Sequence, residues 1–178
     1  YGTNKFDFMI NQSANYTQFA VDGNKQTEFD AGGLKFWQNT VNADFSKRYE
    51  VLAGLNVAAG LEYRIDAFSI QSGEEASYKN YDVASGAAAG SQVFAGFINT
   101  IGDEQTRNNK SVYLDLEQDF SEKFLLTGAV RYENYSDFGS TFNYKFSTRY
   151  KVAQNFNVRA SLSTGFRAPS MEQKYYAK

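Results

Sequence analysis

The sequence predicts an all-β fold, an antiparallel up-and-down transmembrane β-barrel of which this chain supplies about seven strands. Three observations lead to this prediction. Apolar and polar side chains alternate with a period of two, aromatic residues make up 17% of the 178 residues, and the connections between alternating segments differ in length. A period of two places successive side chains on opposite faces of a strand, whereas a helix repeats about every 3.6 residues.

Alternation of polar and apolar residues gives each predicted strand one face of each kind. The seven strands are predicted near residues 3–15, 35–48, 55–66, 111–120, 124–133, 141–152 and 156–166. Several are longer than the five or six residues typical of strands in soluble proteins. They have at least the roughly 9–11 residues that a tilted strand needs to cross hydrocarbon.

The last two predicted strands show the alternation most clearly. The even positions of 142–152 and 156–166 carry no charge, and every Lys and Arg within these strands lies at an odd position. A Lys or Arg on the lipid-facing side near mid-membrane would cost about 2–4 kcal/mol, so a bilayer favours such a face. Aromatic residues near the strand ends, Phe138 and Phe166 among them, are expected to form interfacial bands.

The predicted connections alternate between short and long. Short ones lie near 47–54, 120–123 and 152–155, long ones near 16–34 and 72–109, and one of moderate length at 135–140. Antiparallel order places all short connections at one end, which is typical of transmembrane barrels with short periplasmic turns and longer external loops. The 72–109 loop is either an external ligand-facing loop or a mobile surface loop.

Composition excludes several functions. A net charge of −2 provides no basic patch for nucleic acid, and no apolar run is long enough for a transmembrane helix. The absence of His and Cys excludes Ser-His-Asp and Cys-His catalysis and the usual zinc sites. Asp115, Glu117 and Asp119 share one strand face but are interpreted as charges facing a water-filled lumen. The chain is therefore not predicted to be an enzyme, and no catalytic, cofactor or metal site is predicted.

Sequence motifs add a family resemblance. STGFRAPS (163–170), followed by Met171, Glu172 and Gln173, resembles the strand-to-loop motif of TonB-dependent outer-membrane receptors. Four further stretches are similar to pieces of such receptors, in matching order: RYENYSDFGST (131–141), FDAGG (29–33), LEYR (61–64) and GSQVFAGF (90–97).

The resemblance implies a transporter in the bacterial outer membrane, with a barrel of about 22 strands closed by a plug domain. It also implies that a small-molecule or oligomeric nutrient ligand binds on the external side. The TonB complex of the inner membrane would then use the proton gradient to admit that ligand. We expect residues 1–178 to form a middle portion of this barrel, in contact with outer-membrane lipid. The plug, the remaining strands and the TonB-binding segment are expected to lie outside this sequence.

Ligand contacts are expected near the external rim. Tyrosines there could stack on sugars, catechols or macrocycles, and arginines could bind anionic chelates. The candidates by position are Tyr78, Tyr81, Arg107, Tyr113, Tyr135, Asp137 and Arg167. The alternative for the tyrosines is an aromatic band or packing within loops.

Two other functions remain open from the residues alone. One is a passive porin-like barrel without a plug. The other is a soluble β-sandwich that acts in binding or adhesion. The sandwich predicts that the even faces of 142–152 and 156–166 are buried against a second sheet.

Overall fold

The structure is a computed structural model, and it describes residues 2–7, 23, 26–86, 88–91 and 94–176. Seven strands form one sheet in chain order, β1-β2-β3-β4-β5-β6-β7. Their bounds are β1 Gly2–Asp7, β2 Gly32–Tyr49, β3 Gly54–Ser72, β4 Gln105–Ser121, β5 Phe124–Tyr135, β6 Gly139–Ala153 and β7 Phe156–Ser163. The predicted antiparallel up-and-down architecture is confirmed.

Short helical segments lie in the β3–β4 connection and after β7. Helix α1 covers Glu75–Tyr78, a 3-10 turn covers Val83–Ser85, and helix α2 covers Met171–Tyr175. Among the described residues, no helix has both the length and the apolar composition needed to cross a membrane.

The seven predicted strands are present, but their bounds differ at four places. β3 continues to Ser72, six residues beyond its predicted end, and β4 begins at Gln105, six residues before its predicted start and inside the predicted 72–109 connection. The other two differences are in the first and last strands. The first strand was predicted near 3–15, and β1 confirms its beginning, while residues 8–15 lie outside the described residues, as does most of the predicted 16–34 connection. The seventh strand was predicted to continue to Phe166, but β7 ends at Ser163. That part of the prediction is wrong because Phe166 leaves the strand pattern and packs against Tyr135, with ring centroids 6.2 Å apart.

The predicted long and short connections are found at opposite ends of the strands, but the connection predicted to be of moderate length at 135–140 is as short as the turns at the other end. Residues 50–53, 122–123 and 154–155 form short turns at one end of the strands. At the other end, residues 136–138 form a turn and residues 73–104 form the long connection.

Strand register sorts side chains onto two faces. On β4 to β7, the odd positions form the polar face and the even positions form the apolar face. Tyr113 pairs with Arg131 on the polar face, and Leu114 pairs with Val130 on the apolar face. The apolar face is solvent-accessible: Phe142, for example, is 61% exposed. The β-sandwich alternative is therefore wrong, because it required this face to be buried under a second sheet.

The chain divides into two compact units, which are described separately. The first contains 1–2, 39–65 and 107–170, and the second contains 3–38, 66–106 and 171–178. The second unit has an apolar core formed by Leu34, Phe68, Ile70, Phe97 and Met171. Residues of the long connection and of α2 thus pack on the ends of β2 and β3.

The long connection is held by backbone hydrogen bonds within the second unit. Ser77 is fully buried, and its carbonyl accepts hydrogen bonds from the N–H groups of Ser91 (3.1 Å) and Gly96 (2.8 Å). The N–H of Phe97 donates to the carbonyl of Ala31 at 2.8 Å. The described part of this connection is thus folded, which argues against the interpretation as a mobile loop.

Candidate functional site

The polar face of the first unit carries a network of side chains from β2 to β5. The Tyr113 hydroxyl donates to Asp44 Oδ1 at 2.7 Å, although β3 lies between their strands. Arg131 forms ion pairs with Glu62 at 3.3 Å and with Glu133 at 3.0 Å. These contacts tie four neighbouring strands together on one face.

Gly60 makes the Tyr113–Asp44 hydrogen bond possible. A Cβ atom at Gly60 would lie 2.4 Å from both Asp44 Oδ1 and Tyr113 Cε1. The phenol ring therefore lies directly over the glycine, and a larger residue would displace it.

Replacing Gly60 by alanine is expected to lower the free energy of unfolding by about 1–3 kcal/mol, because the ring must move and the hydrogen bond is lost. Gly128→Ala is the matched control, since a Cβ atom there has no neighbour within 4 Å. Urea unfolding of the full-length protein in detergent measures both variants. Equal stability of the two variants would contradict the proposed role of Gly60.

A groove on the polar face adjoins this network. It has a volume of about 510 Å³, and its lining includes Tyr113, Asp115, Arg131, Asn143 and Lys145. Both signs of charge and two neutral hydrogen-bonding groups are therefore available to a polar solute. Within the described residues, no group of three or more Asp, Glu, His or Cys side chains could hold a metal ion.

A second cluster lies where β4 begins and β5 ends. Arg107 Nη1 donates to the carbonyl oxygen of Pro169 at 2.8 Å, and its guanidinium lies 5.6 Å from the ring centroid of Tyr135. Tyr135 stacks on Phe138 at 4.3 Å and contacts Phe166 edge-on. Residues 164–170, here called the strap, thus leave β7 and bind back onto β4 and β5.

The strap changes the interpretation of two predicted ligand contacts. Arg107 and Tyr135 are each only 5% exposed, because the strap and Phe138 cover them. Both residues contact the strap, and their contact with a ligand stays a prediction. Phe138 and Phe166 were expected in an interfacial aromatic band, but they pack on Tyr135, a residue of the polar face.

The other predicted site residues lie in separate places. Tyr113 is on the same polar face, two side-chain rows from Tyr135. Asp137 is half-buried in the β5–β6 turn, and Arg167 is exposed on the strap. Their contact with a ligand stays a prediction.

Two tyrosine candidates belong to the second unit. Tyr78 ends α1 and is half-buried, and Tyr81 follows it. Lys79 lies over the Tyr81 ring at 5.3 Å and also hydrogen-bonds Glu75. That hydrogen bond, with the attraction of the Glu75 charge, raises the pKa of Lys79 above its ordinary value. Lys79 therefore stays cationic at neutral pH beside a half-buried aromatic ring.

The sequence of this chain is similar to one protein family and to two curated transporters. A family model described as "TonB dependent receptor-like, beta-barrel" matches residues 1–178. The chain is 23% identical over 164 residues to the vitamin B12 transporter BtuB of Photobacterium profundum, covering 90% of this chain and 22% of that protein. It is 23% identical over 129 residues to BtuB of Vibrio vulnificus, covering 72% of this chain and 18% of that protein.

One solved structure has a similar fold. The crystal structure of the siderophore receptor PirA from Acinetobacter baumannii matches with a TM-score of 0.52 and 17% identity, covering 84% of this chain and 19% of that one. The chain thus spans about a fifth of the length of the relatives it matches.

Proposed function

Because the chain belongs to the TonB-dependent receptor β-barrel family, we propose that it forms part of the wall of a transporter that binds an external ligand and imports it with TonB-coupled energy. Proteins of this family lie in the outer membrane of Gram-negative bacteria, and the same location holds for this chain. The proposed partners are outer-membrane lipid, a plug domain, further barrel strands and TonB. The match of the family model to the whole chain is the observation that carries the proposal.

The two faces of the sheet support this function. The even positions of β6 and β7 are uncharged and exposed, as the hydrocarbon of a bilayer requires. The odd positions of β5 carry the ion pair of Arg131 with Glu133, which suits a polar interior, and the 510 Å³ groove combines polar side chains of odd positions with Leu114, Val130 and Tyr144. A strand with one apolar face and one polar face is suited to a barrel wall whose outside contacts lipid and whose inside contacts water.

Ligand binding is proposed at the end of the sheet that bears the strap. Arg167 lies between Phe166, which packs on Tyr135, and Pro169, whose carbonyl binds Arg107. The backbone on both sides of Arg167 is thus anchored, and the exposed guanidinium is available to an anionic ligand. Arg107 and Tyr135 are proposed as positioning residues for the strap.

Uptake by the full-length protein tests this function. The relatives suggest vitamin B12 and ferric siderophores as the first ligands to screen in a strain that lacks its own receptors. The proposal expects uptake of one of them that stops when a protonophore removes the proton gradient. Uptake that continues with the protonophore would instead indicate a passive porin-like barrel.

Arg167→Ala is expected to weaken binding of an anionic ligand about 10-fold, because it removes one charge-assisted hydrogen bond. The matched control is Lys123→Ala, which removes an exposed cation from the short β4–β5 turn. Ligand titration of both variants in detergent gives the two affinities. An unchanged affinity of Arg167→Ala would remove Arg167 from the proposed site.

A further inference from the structure

Four cations lie together on the polar face of β6 and β7. Lys145, Arg149 and Lys151 occupy odd positions of β6, and Arg159 occupies an odd position of β7. The register places Arg149 directly opposite Arg159. Like charges at directly opposed positions destabilise a sheet, because their Cβ atoms are only about 5 Å apart.

Among the described residues, the direct cross-strand partners of these cations on β5 and β7 include no carboxylate. On β5, the partners of Lys145 and Arg149 are Ala129 and Leu125. On β7, the partners of Lys145 and Lys151 are Ser163 and Asn157.

Asp115, Glu117 and Asp119 lie on β4, two strands from β6, which is a backbone separation of about 10 Å. Within the described ranges, none of the four cations forms an ion pair with a carboxylate. Asp115 lines the 510 Å³ groove together with Lys145, whereas no carboxylate lines the groove at Arg149 and Arg159.

A groove opens at the same place. Its volume is about 320 Å³, and its lining combines three of the cations and four hydroxyl side chains with Leu125 and Ala160: Lys145, Arg149, Arg159, Thr127, Ser147, Thr148 and Ser161. Guanidinium groups bind carboxylate and phosphate oxygens in pairs, and hydroxyl groups donate to the remaining oxygens. The groove has room for a small solute.

We propose that this groove is a binding site for a small oxyanion with more than one negative charge, such as inorganic phosphate or a di- or tricarboxylate. Arg149 and Arg159 hold the anion from two neighbouring strands, and Lys145 supplies a third positive charge. The bound anion relieves the repulsion between the two arginines. This site is distinct from the strap residues and does not depend on which ligand the protein transports.

Titration calorimetry of the full-length protein in detergent, with inorganic phosphate and with citrate at low ionic strength, tests the proposal. Wild type is expected to show saturable binding of at least one of the two anions. Chloride, the reference anion, is expected to compete only weakly with that binding. Arg149→Gln and Arg159→Gln are each expected to weaken binding about 10-fold. Arg159→Lys, which keeps the charge, is expected to lie between wild type and Arg159→Gln.

Lys123→Gln is the control, since it removes a cation that lies outside the groove, and its affinity is expected to equal that of wild type. A shift in gel mobility on heating, equal to that of wild type, verifies that each variant is folded. Absence of saturable phosphate and citrate binding to wild type would overturn the proposal. It would indicate that carboxylates elsewhere in the full-length protein neutralise the patch.

Discussion

Replacing Val130 by arginine is expected to destabilise the folded barrel by about 2–4 kcal/mol, because the apolar face of β5 meets hydrocarbon near the middle of the strand. Val130 is 39% exposed and pairs with Leu114 and Tyr144, so its side chain has apolar neighbours on both sides. An arginine there has neither a carboxylate nor water within easy reach in a bilayer.

The neighbouring position supplies the control for this prediction. Ala129 lies on the polar face between Asp115 and Lys145, so Ala129→Arg places the same side chain in a polar row, with a carboxylate on one side and a cation on the other. Its free energy of unfolding is expected to stay within about 0.5 kcal/mol of wild type. Reversible unfolding in lipid vesicles measures both variants, and a larger loss at Ala129 than at Val130 would reverse the assignment of the two faces.

Tyr135→Ala is expected to lower the free energy of unfolding by about 3–5 kcal/mol, the range for truncation of a large buried aromatic residue. The ring is 5% exposed and lies against Phe138, Phe166 and the guanidinium of Arg107. Its removal leaves a cavity under the strap and takes away the aromatic partner of Arg107.

Tyr135→Phe separates packing from the phenol group, because it keeps the ring and all of its ring contacts. We expect this variant to lose less than about 1.5 kcal/mol. Limited proteolysis at Arg167, on the strap, gives a second measurement: cleavage should become faster in Tyr135→Ala and stay slow in Tyr135→Phe. Equal protection of the strap in wild type and Tyr135→Ala would show that Tyr135 does not hold it.

The strands could be predicted because the period-two alternation depends on nearest neighbours along the chain. Phe142 and Asn143 differ in polarity whichever strands pair with β6, so the two faces of β6 follow directly from the sequence. The end of β7 could not be predicted in this way. Alternation continues through Phe166, but packing of Phe166 on Tyr135 overrides the local pattern.

The candidate site was predictable in position but not in its contacts. Alternation and loop length placed Arg107 and Tyr135 near one end of the sheet. The sequence did not show that Pro169, 62 residues after Arg107, returns to accept its hydrogen bond. In the same way, Gly60 gave no sign that Tyr113 lies over it, since this contact depends on the register of three strands. For the contacts of the strap, the signal in the sequence was the presence of Phe166 and Pro169 within GFRAPS.

Quenching of single labelled cysteines along β6 shows whether one face of this sheet meets lipid and the other meets water. The chain contains no cysteine of its own, so one can be introduced at each position from 142 to 150 in the full-length protein. Each is labelled with an environment-sensitive fluorophore in vesicles. The even positions are expected to be quenched by brominated lipid and the odd positions by a water-soluble quencher. Quenching that does not alternate, or that alternates in the opposite phase, would contradict the account.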